Sequence, residues 1–397
     1  MIESIYQIGR AILEREGGGR RTVLESLAYN PPSDKEGISY IAVLKLNTSR
    51  WKLDVELREL GRENNTTARY LWLGNAPSSN DDQDRLTTNN LTYLVSQTIP
   101  NLLMNGRVRP ETQLYKKLWS LKNELYLDLG KPEDLGITSR TYRRYRHFWN
   151  LQKLGIQVLS LEQLRDRVRE GEKPQNAPRQ VAKALQEHFH EIPAQDLLFT
   201  LELDGKLLVD DEAYQEHLER SLIESVFETA HEGLCHLSGK RGPVTTIMTP
   251  FKFKYYINDK PGFASGGTDK GFVSNFALTE DTYTALLVGE RFVRRELGFY
   301  FAGASGYLIP DLYPVGMPKE LPAVLLRTLR SIRSRTRFAL GQVRLDDLDK
   351  DLEDFRKKYL ASGYMINLLF YRQKQANFQV LRLIQDIPSF RLEELRQ

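Results

Sequence analysis

The stretch HEGLCHLSGK, residues 231–240, holds the only cysteine of the chain, Cys235, between His231 and His236. Thiolate and imidazole are the ligands zinc prefers, so a metal is the first chemistry to test. A helical zincin motif needs its two histidines four apart, which puts both imidazoles on one face. His231 and His236 are five apart and diverge by roughly 140° on a helix, and Gly233 weakens a helix there. A metalloenzyme site built from His231, Cys235 and His236 stays open, but it needs a fourth ligand from elsewhere. The other reading is a zinc knuckle with pieces missing. Three residues beyond Cys235, where a Cys-x-x-Cys turn carries its second thiolate, stands Ser238. Further on, FALTEDTY has the shape of a second knuckle with Thr279 and Thr282 in the ligand places. Neutral hydroxyls are poor zinc ligands beside thiolates. No bound zinc and no cofactor are expected.

Other catalytic patterns do not fit. GASG at 303–306 is not the G-x-S-x-G of a nucleophile elbow. Lys240 sits in SGKRG, which is not a phosphate-binding P-loop. Nothing in the sequence orients a base toward Cys235, and no carboxylate pair is diagnostic. The balance points to binding rather than catalysis.

Three segments have the makings of a nucleic-acid surface. In SRTYRRYRHFWN, Arg140, Arg143, Arg144 and Arg146 alternate with Tyr142, Tyr145, Phe148 and Trp149. Guanidinium groups hold phosphates bidentately and aromatic faces stack on bases. The same pattern also suits an amphipathic helix with aromatic core residues and solvated arginines. In LPAVLLRTLRSIRSRTRFALGQVR, a helix gathers Leu325, Leu329, Ile332, Leu340 and Val343 within about 80°. Arg330, Arg333, Arg337 and Arg344 then share an adjacent arc of about 60°, a phosphate-tracking stripe or a set of salt bridges to another domain. In FKFKYYINDK, strand alternation puts Phe251, Phe253 and Tyr255 on one face and Lys252, Lys254 and Tyr256 on the other. The Gly-rich loop after it, with Ser265, Thr268 and Lys270, can approach DNA closely, or is a plain hairpin turn.

These pieces need a scaffold. MIESIYQIGRAILE reads as an amphipathic first helix. ISYIAVLKLN and WKLDVELREL read as strands. GNAPSSNDDQDRLTTNN reads as a polar loop, and LTYLVSQTIPNLLM opens a helical region. EGEKPQNAPRQ reads as a linker. LLFTLELDGKLLVD is strand, Asp-Gly turn and returning strand, with Asp210 or Asp211 capping the next helix. From Pro318 on the chain reads as almost wholly helical. The fold class is α+β and multidomain: an N-terminal α+β domain at 1–172, a central domain with the degenerate knuckles at 173–317, and a helical segment at 318–397.

The bulk properties agree. A chain of 397 residues is long enough for two or three domains. One cysteine excludes an internal disulfide framework and fits a reducing, cytoplasmic setting. No run of about 18 apolar residues occurs, so no membrane is expected as a partner. The net charge of +4 is mild, but basic residues cluster while acids such as Asp346, Asp347, Asp349 and Asp351 sit apart, as local polyanion binding would need.

The order of these segments resembles one family: the large subunit of the type I-B CRISPR surveillance complex, Cascade (the Csh family). MIESIYQIGRAILE looks like that family's N-terminal helix, and LFTLELDGK like its strand-turn-strand. Its central signature is a knuckle, a strand, a Gly-containing loop, a second knuckle, then Tyr and a helix with Gly. CHLS, FKFKYYINDK, PGFASGG and TEDTYTALLVGERFV are similar to it, as are YLIPDL and YMINLLFYRQKQANFQVLRLIQDIPSFRL. The departures are Ser238, Thr279 and Thr282 in three ligand places, which implies a zinc ribbon that has lost its metal. Phe272, Phe276, Leu278, Tyr283 and Leu287 are then expected to hold it by packing. The family's C-terminal domain, similar to the complex's small subunit, is expected to be missing, separately encoded or left out of this chain. The resemblance implies a non-catalytic subunit beside Cascade backbone and small subunits. It would contact the 5′ handle of the CRISPR RNA, read the protospacer-adjacent motif of target double-stranded DNA and assist R-loop formation. It would also recruit a helicase-nuclease or a transposition protein. Protein reads the motif and base pairing reads the rest. A guide-independent single-strand-binding scaffold is the other binding reading.

Overall fold

A computed structural model of the protein describes residues 1–32, 39–61, 66–76, 81–137, 142–190, 192, 197–253, 255–256, 260–268, 271–301, 303–311, 365–374 and 377–388. The chain divides into two compact units, one of Ala28–Glu219 and one of Met1–Leu27 with Arg220–Gln397. The α+β class holds in each. The expected division at 172/173 falls inside the first of these units. The supposed linker enters a helix, Asn176–His188, whose Ala177, Pro178, Val181, Ala182 and Leu185 are buried. Pro178 is tolerated because the N–H groups of a first turn have no helical partner to lose. The division expected at 317/318 lies outside the described residues.

In the unit Ala28–Glu219, β1 (Tyr40–Asn47) and β2 (Lys52–Glu59) pair antiparallel. Two short strands, β3 (Tyr126–Asp128) and β4 (His147–Trp149), pair separately. β5 (Leu197–Leu203) runs parallel to β1, and the Asp204-Gly205 turn returns it as β6 (Lys206–Leu207), giving the order β2-β1-β5-β6. Ile41, Val43, Tyr70, Trp72 and Leu198 form its apolar core. Asp211 accepts the Ala213 N–H at 3.0 Å and so caps the Glu212–Leu222 helix.

The polar loop is not a surface loop throughout. Gln83, Asp84, Thr87 and Thr88 are buried, and Thr88 exchanges backbone hydrogen bonds with Phe199 of β5. Asp84 Oδ2 lies 3.0 Å from His217 Nε2 and 3.6 Å from Arg107 Nε. Burial raises the Asp84 carboxyl, but Arg85, His217 and Arg107 outweigh it and hold it at about 2. Buried polar groups stand only when partnered, and here the partners come from distant segments.

In the other unit, β7 (His231–Leu234), β8 (Arg241–Thr245) and β9 (Leu278–Thr279) form one sheet. β10 (Gly298–Phe301), β11 (Ala304–Asp311), β12 (Met365–Lys374) and β13 (Asn377–Pro388) form a second, in that order. The last two correct the helical reading of the chain's end at 365–374 and 377–388. Cross-strand aromatics decide the pairing: Tyr307 stacks on Tyr371 at 4.6 Å, and Tyr371 on Phe378 at 4.9 Å. The first helix, Ile2–Glu16, lies against the Glu280–Glu296 helix. A Cβ on Gly9 would stand 1.7 Å from the Ala285 carbonyl oxygen, and one on Gly289 would stand 1.9 Å from that of Ile5. The two glycines let the backbones touch, which no side chain at either position permits.

Candidate nucleic-acid interface

The four knuckle positions converge. β7 ends at Cys235, a turn carries Ser238, and the chain returns as β8. Cys235 N–H donates to Lys240 O at 2.8 Å, and Gly239 N–H to Cys235 O at 2.9 Å. β9 pairs with β8 and delivers Thr279 and Thr282 at the start of the Glu280–Glu296 helix. Their hydroxyls lie 3.1 Å apart. Cys235 is wholly shielded from solvent. Burial pushes its thiol up. Ser238 through hydroxyl and N–H, Thr279 through its N–H, and Thr282 through its hydroxyl outweigh that and hold it at about 6. The Ser238 hydroxyl, buried beside the sulfur, acts on it by proximity and not through a bond of ordinary hydrogen-bond geometry. Lys240 closes the pair of turns on Asp281 at 2.7 Å. Phe272, Phe276, Leu278, Tyr283 and Leu287 are all buried, as the packing expectation requires.

The metalloenzyme reading rests on His231, Cys235 and His236. His231 is exposed on β7, opposite Val244. His236 donates its backbone N–H to Ala277 O at 2.9 Å and accepts the Ala277 N–H on Nδ1 at 3.1 Å. Among the described residues no group of three or more His, Cys, Asp or Glu is placed to hold a metal ion.

FKFKYYINDK is not a strand where it is described. Phe251 and Phe253 are buried as alternation predicts, but their neighbours' backbone groups go to a side chain instead of a sheet. Glu290, 2 % exposed in the Glu280–Glu296 helix, accepts the Lys252 N–H at 2.8 Å and the Phe253 N–H at 3.2 Å. Burial raises the Glu290 carboxyl, against the opposing pull of these N–H groups and of Arg294. Lys252 is half-buried and Lys254 lies outside the described residues. Beyond it, Tyr256 stacks on Phe276 at 4.4 Å. The Gly-rich loop exposes Phe263, Ser265 and Thr268. Gly266 and Gly267 take φ of 74° and 68°, the left-handed region that suits glycine. Asn275 braces the loop: Oδ1 accepts from Ser265 N–H at 3.1 Å and Ser265 Oγ at 2.6 Å, and Nδ2 donates to Phe263 O at 2.9 Å. Lys270 lies outside the described residues.

The aromatic-basic segment is placed differently from the stacking expectation. Phe148 and Trp149 are wholly buried in β4 and Tyr142 nearly so, so these rings are core and not platforms. Arg146 pairs with Asp128 through two bonds of 2.6 Å. Arg144 is buried, 5.8 Å from the Tyr145 ring. Arg143 meets Asp82 at 3.0 Å, yet its side chain remains 63 % exposed. Arg140, Arg330, Arg333, Arg337 and Arg344 lie outside the described residues.

Glu290 and Asn275 position the loop and were not read from the sequence. Glu290 left one trace: an acid inside the apolar run ALLVGERFV needs a buried partner. Asn275 left none.

The ordered pieces belong to a class. Residues 1–220 match the N-terminal domain, and residues 232–387 the central domain, of a CRISPR-associated protein. The chain belongs to that family, CRISPR-associated protein TM1802 (cas_TM1802). No curated protein matches the chain.

Proposed function

We propose that the chain is the large subunit of a type I-B CRISPR RNA-guided surveillance complex, a non-catalytic nucleic-acid-binding subunit of the cytoplasm. In this reading it recognises the protospacer-adjacent motif in target double-stranded DNA and contacts the 5′ handle of the CRISPR RNA. It assists duplex opening and R-loop formation beside the backbone and small subunits. It then recruits a helicase-nuclease or transposition proteins. Membership of a CRISPR-associated family supports the setting. The observation that carries the motif-reading role is the exposed, Asn275-braced loop with Ser265, Thr268 and Phe263 at its surface. A loop held that firmly loses little entropy on meeting a groove. The convergence of Cys235, Ser238, Thr279 and Thr282 supports a zinc ribbon whose metal has been replaced by hydrogen bonds.

The test is target binding by the CRISPR RNA-loaded complex, with and without this chain, on duplexes with a randomised flank. Tighter binding on particular flanks only, lost on charge reversal of Arg330, Arg333 and Arg337 or on Ser265→Ala with Thr268→Ala, is expected. A chain that neither joins the complex nor changes flank preference refutes the reading and favours the guide-independent scaffold.

A further inference from the structure

The Gln113–Leu125 helix buries Leu114, Leu118, Leu121 and Leu125, a helical stripe that turns the opposite face outward. That face carries Tyr115, Lys116, Trp119 and Lys122, while Lys117 projects on the far side of the buried stripe. Trp119 is 47 % exposed, whereas Trp72 and Trp149 are 7 % and 0 %. Its orientation is fixed. The Tyr115 ring stacks beside it, nearly parallel at 12°, with centroids 6.0 Å apart. Lys122 Nζ stands 5.7 Å from the Trp119 centroid. Among the described residues no carboxylate forms an ion pair with Lys116, Lys117 or Lys122. The helix's own late acid, Glu124, is taken by the Ser120 hydroxyl at 2.9 Å and by Lys153 at 3.6 Å. The charge on Lys122 is also felt at His147 of β4, whose imidazole is held at about 4 by burial first and by this lysine second. Lys122 is therefore near His147.

We propose that this face is a stacking platform for single-stranded nucleic acid, with an unpaired base against Trp119 and the flanking phosphates on Lys116 and Lys122. It rests on the reading that the chain works on nucleic acid and adds a site in a unit which that reading left without one. The charge selects the partner. Protein interfaces are depleted of lysine, whereas lysines around an open aromatic face suit a polyanion that carries rings. The strand must be single, because bases of a duplex are already covered on both faces.

The test is fluorescence anisotropy of labelled oligo(dT), and of the same strand with abasic sites, titrated with the full chain. Trp119→Ala is expected to weaken oligo(dT) binding about 5- to 150-fold, and Trp119→Phe to retain most of it. On the abasic strand the difference between Trp119→Ala and wild type is expected to vanish. Lys116→Gln with Lys122→Gln is expected to flatten the logarithmic salt slope by about 0.7 per lysine. Equal affinity of wild type and Trp119→Ala, an equal loss on the abasic strand, or no binding by wild type at low salt overturns the proposal. So does a Trp119→Ala chain that binds oligo(dT) normally but no longer joins another subunit. A chain that uses Trp119 yet never joins a CRISPR RNA complex keeps the platform and refutes the complex assignment.

Discussion

If Cys235, Ser238, Thr279 and Thr282 stand where four ligands once stood, three substitutions should restore the metal. The variant is Ser238→Cys, Thr279→Cys, Thr282→Cys. A tetrahedral site with zinc–sulfur bonds of about 2.3 Å sets its sulfurs about 3.8 Å apart. The Thr279 and Thr282 hydroxyls are 3.1 Å apart, so the longer carbon–sulfur bonds need only a small opening of the turn. The Cys235 surroundings already favour a thiolate. Without metal the variant should be less stable than wild type by about 1–2 kcal/mol, since it loses two buried methyl groups. With free zinc at a thousand times its dissociation constant, binding adds about 4 kcal/mol. For a unit of this size that raises Tm by about 8–16 °C over the metal-free variant. Zinc content of the purified variant, and thermal unfolding with and without a chelator, measure both quantities. A variant that folds but binds no zinc stoichiometrically refutes the reading, because the four positions would then only be neighbours.

Three further outcomes follow from the geometry. The folded Cys235 thiol at about 6 lies below its ordinary 9.0, so its stabilising effect is full above about pH 9, declines as the pH falls, and is gone below about 6. Ultraviolet thiolate titration reads it against Cys235→Ser, and Thr282→Val should move the midpoint up. Gly9→Ala gains about 1 kcal/mol of helix propensity but drives a methyl into backbone, so a net loss of about 2 kcal/mol is expected. Far-UV circular dichroism must read it, because the four tryptophans, 51, 72, 119 and 149, lie in the other unit; an unchanged or higher Tm counts against the helix contact. Asp84→Asn removes the buried carboxylate that Arg85, Arg107 and His217 share, while Asp82 still holds Arg107 at 3.2 Å, and should cost about 3 kcal/mol by tryptophan fluorescence in urea. The wild-type contribution holds above about pH 4 and is lost as the pH falls through about 2.

What was legible in the sequence followed local rules. β1, β2, the β5 turn with Asp204-Gly205 and the first helix each carry their own periodicity, and each forms where that periodicity puts it. What was not legible depends on partners far along the chain. The loop 74–90 has the composition of a surface loop, and nothing near it announces His217, the partner of Asp84. SRTYRRYRHFWN shows basic and aromatic residues in alternation, but only the fold says that Asp128 claims Arg146 and that Phe148 and Trp149 face inward. Residues 365–388 have no glycine or proline before Pro388, so a helix reads as well as a hairpin until Tyr307 and Phe378 flank Tyr371.

The same contrast bears on how a metal-free knuckle, as proposed above, would keep its shape. A zinc ion does two jobs: it neutralises thiolates and ties two turns together. Here there is one cysteine, and Ser238, Thr279 and Thr282 around it lower the pKa of its thiol. The tie is made by the His236–Ala277 backbone pairing and the Lys240–Asp281 ion pair. The larger anchorage lies below, where Phe251 and Phe227 pack edge-on against Tyr283 at 4.9 and 5.5 Å. Tyr283 belongs to the Glu280–Glu296 helix, which also carries Glu290 and the glycine contact with the first helix. One helix thus holds the second turn, the Lys252–Phe253 backbone and the start of the chain. On the proposed reading, a helix so fixed by packing lets a hydroxyl stand in each place where the family carries a cysteine.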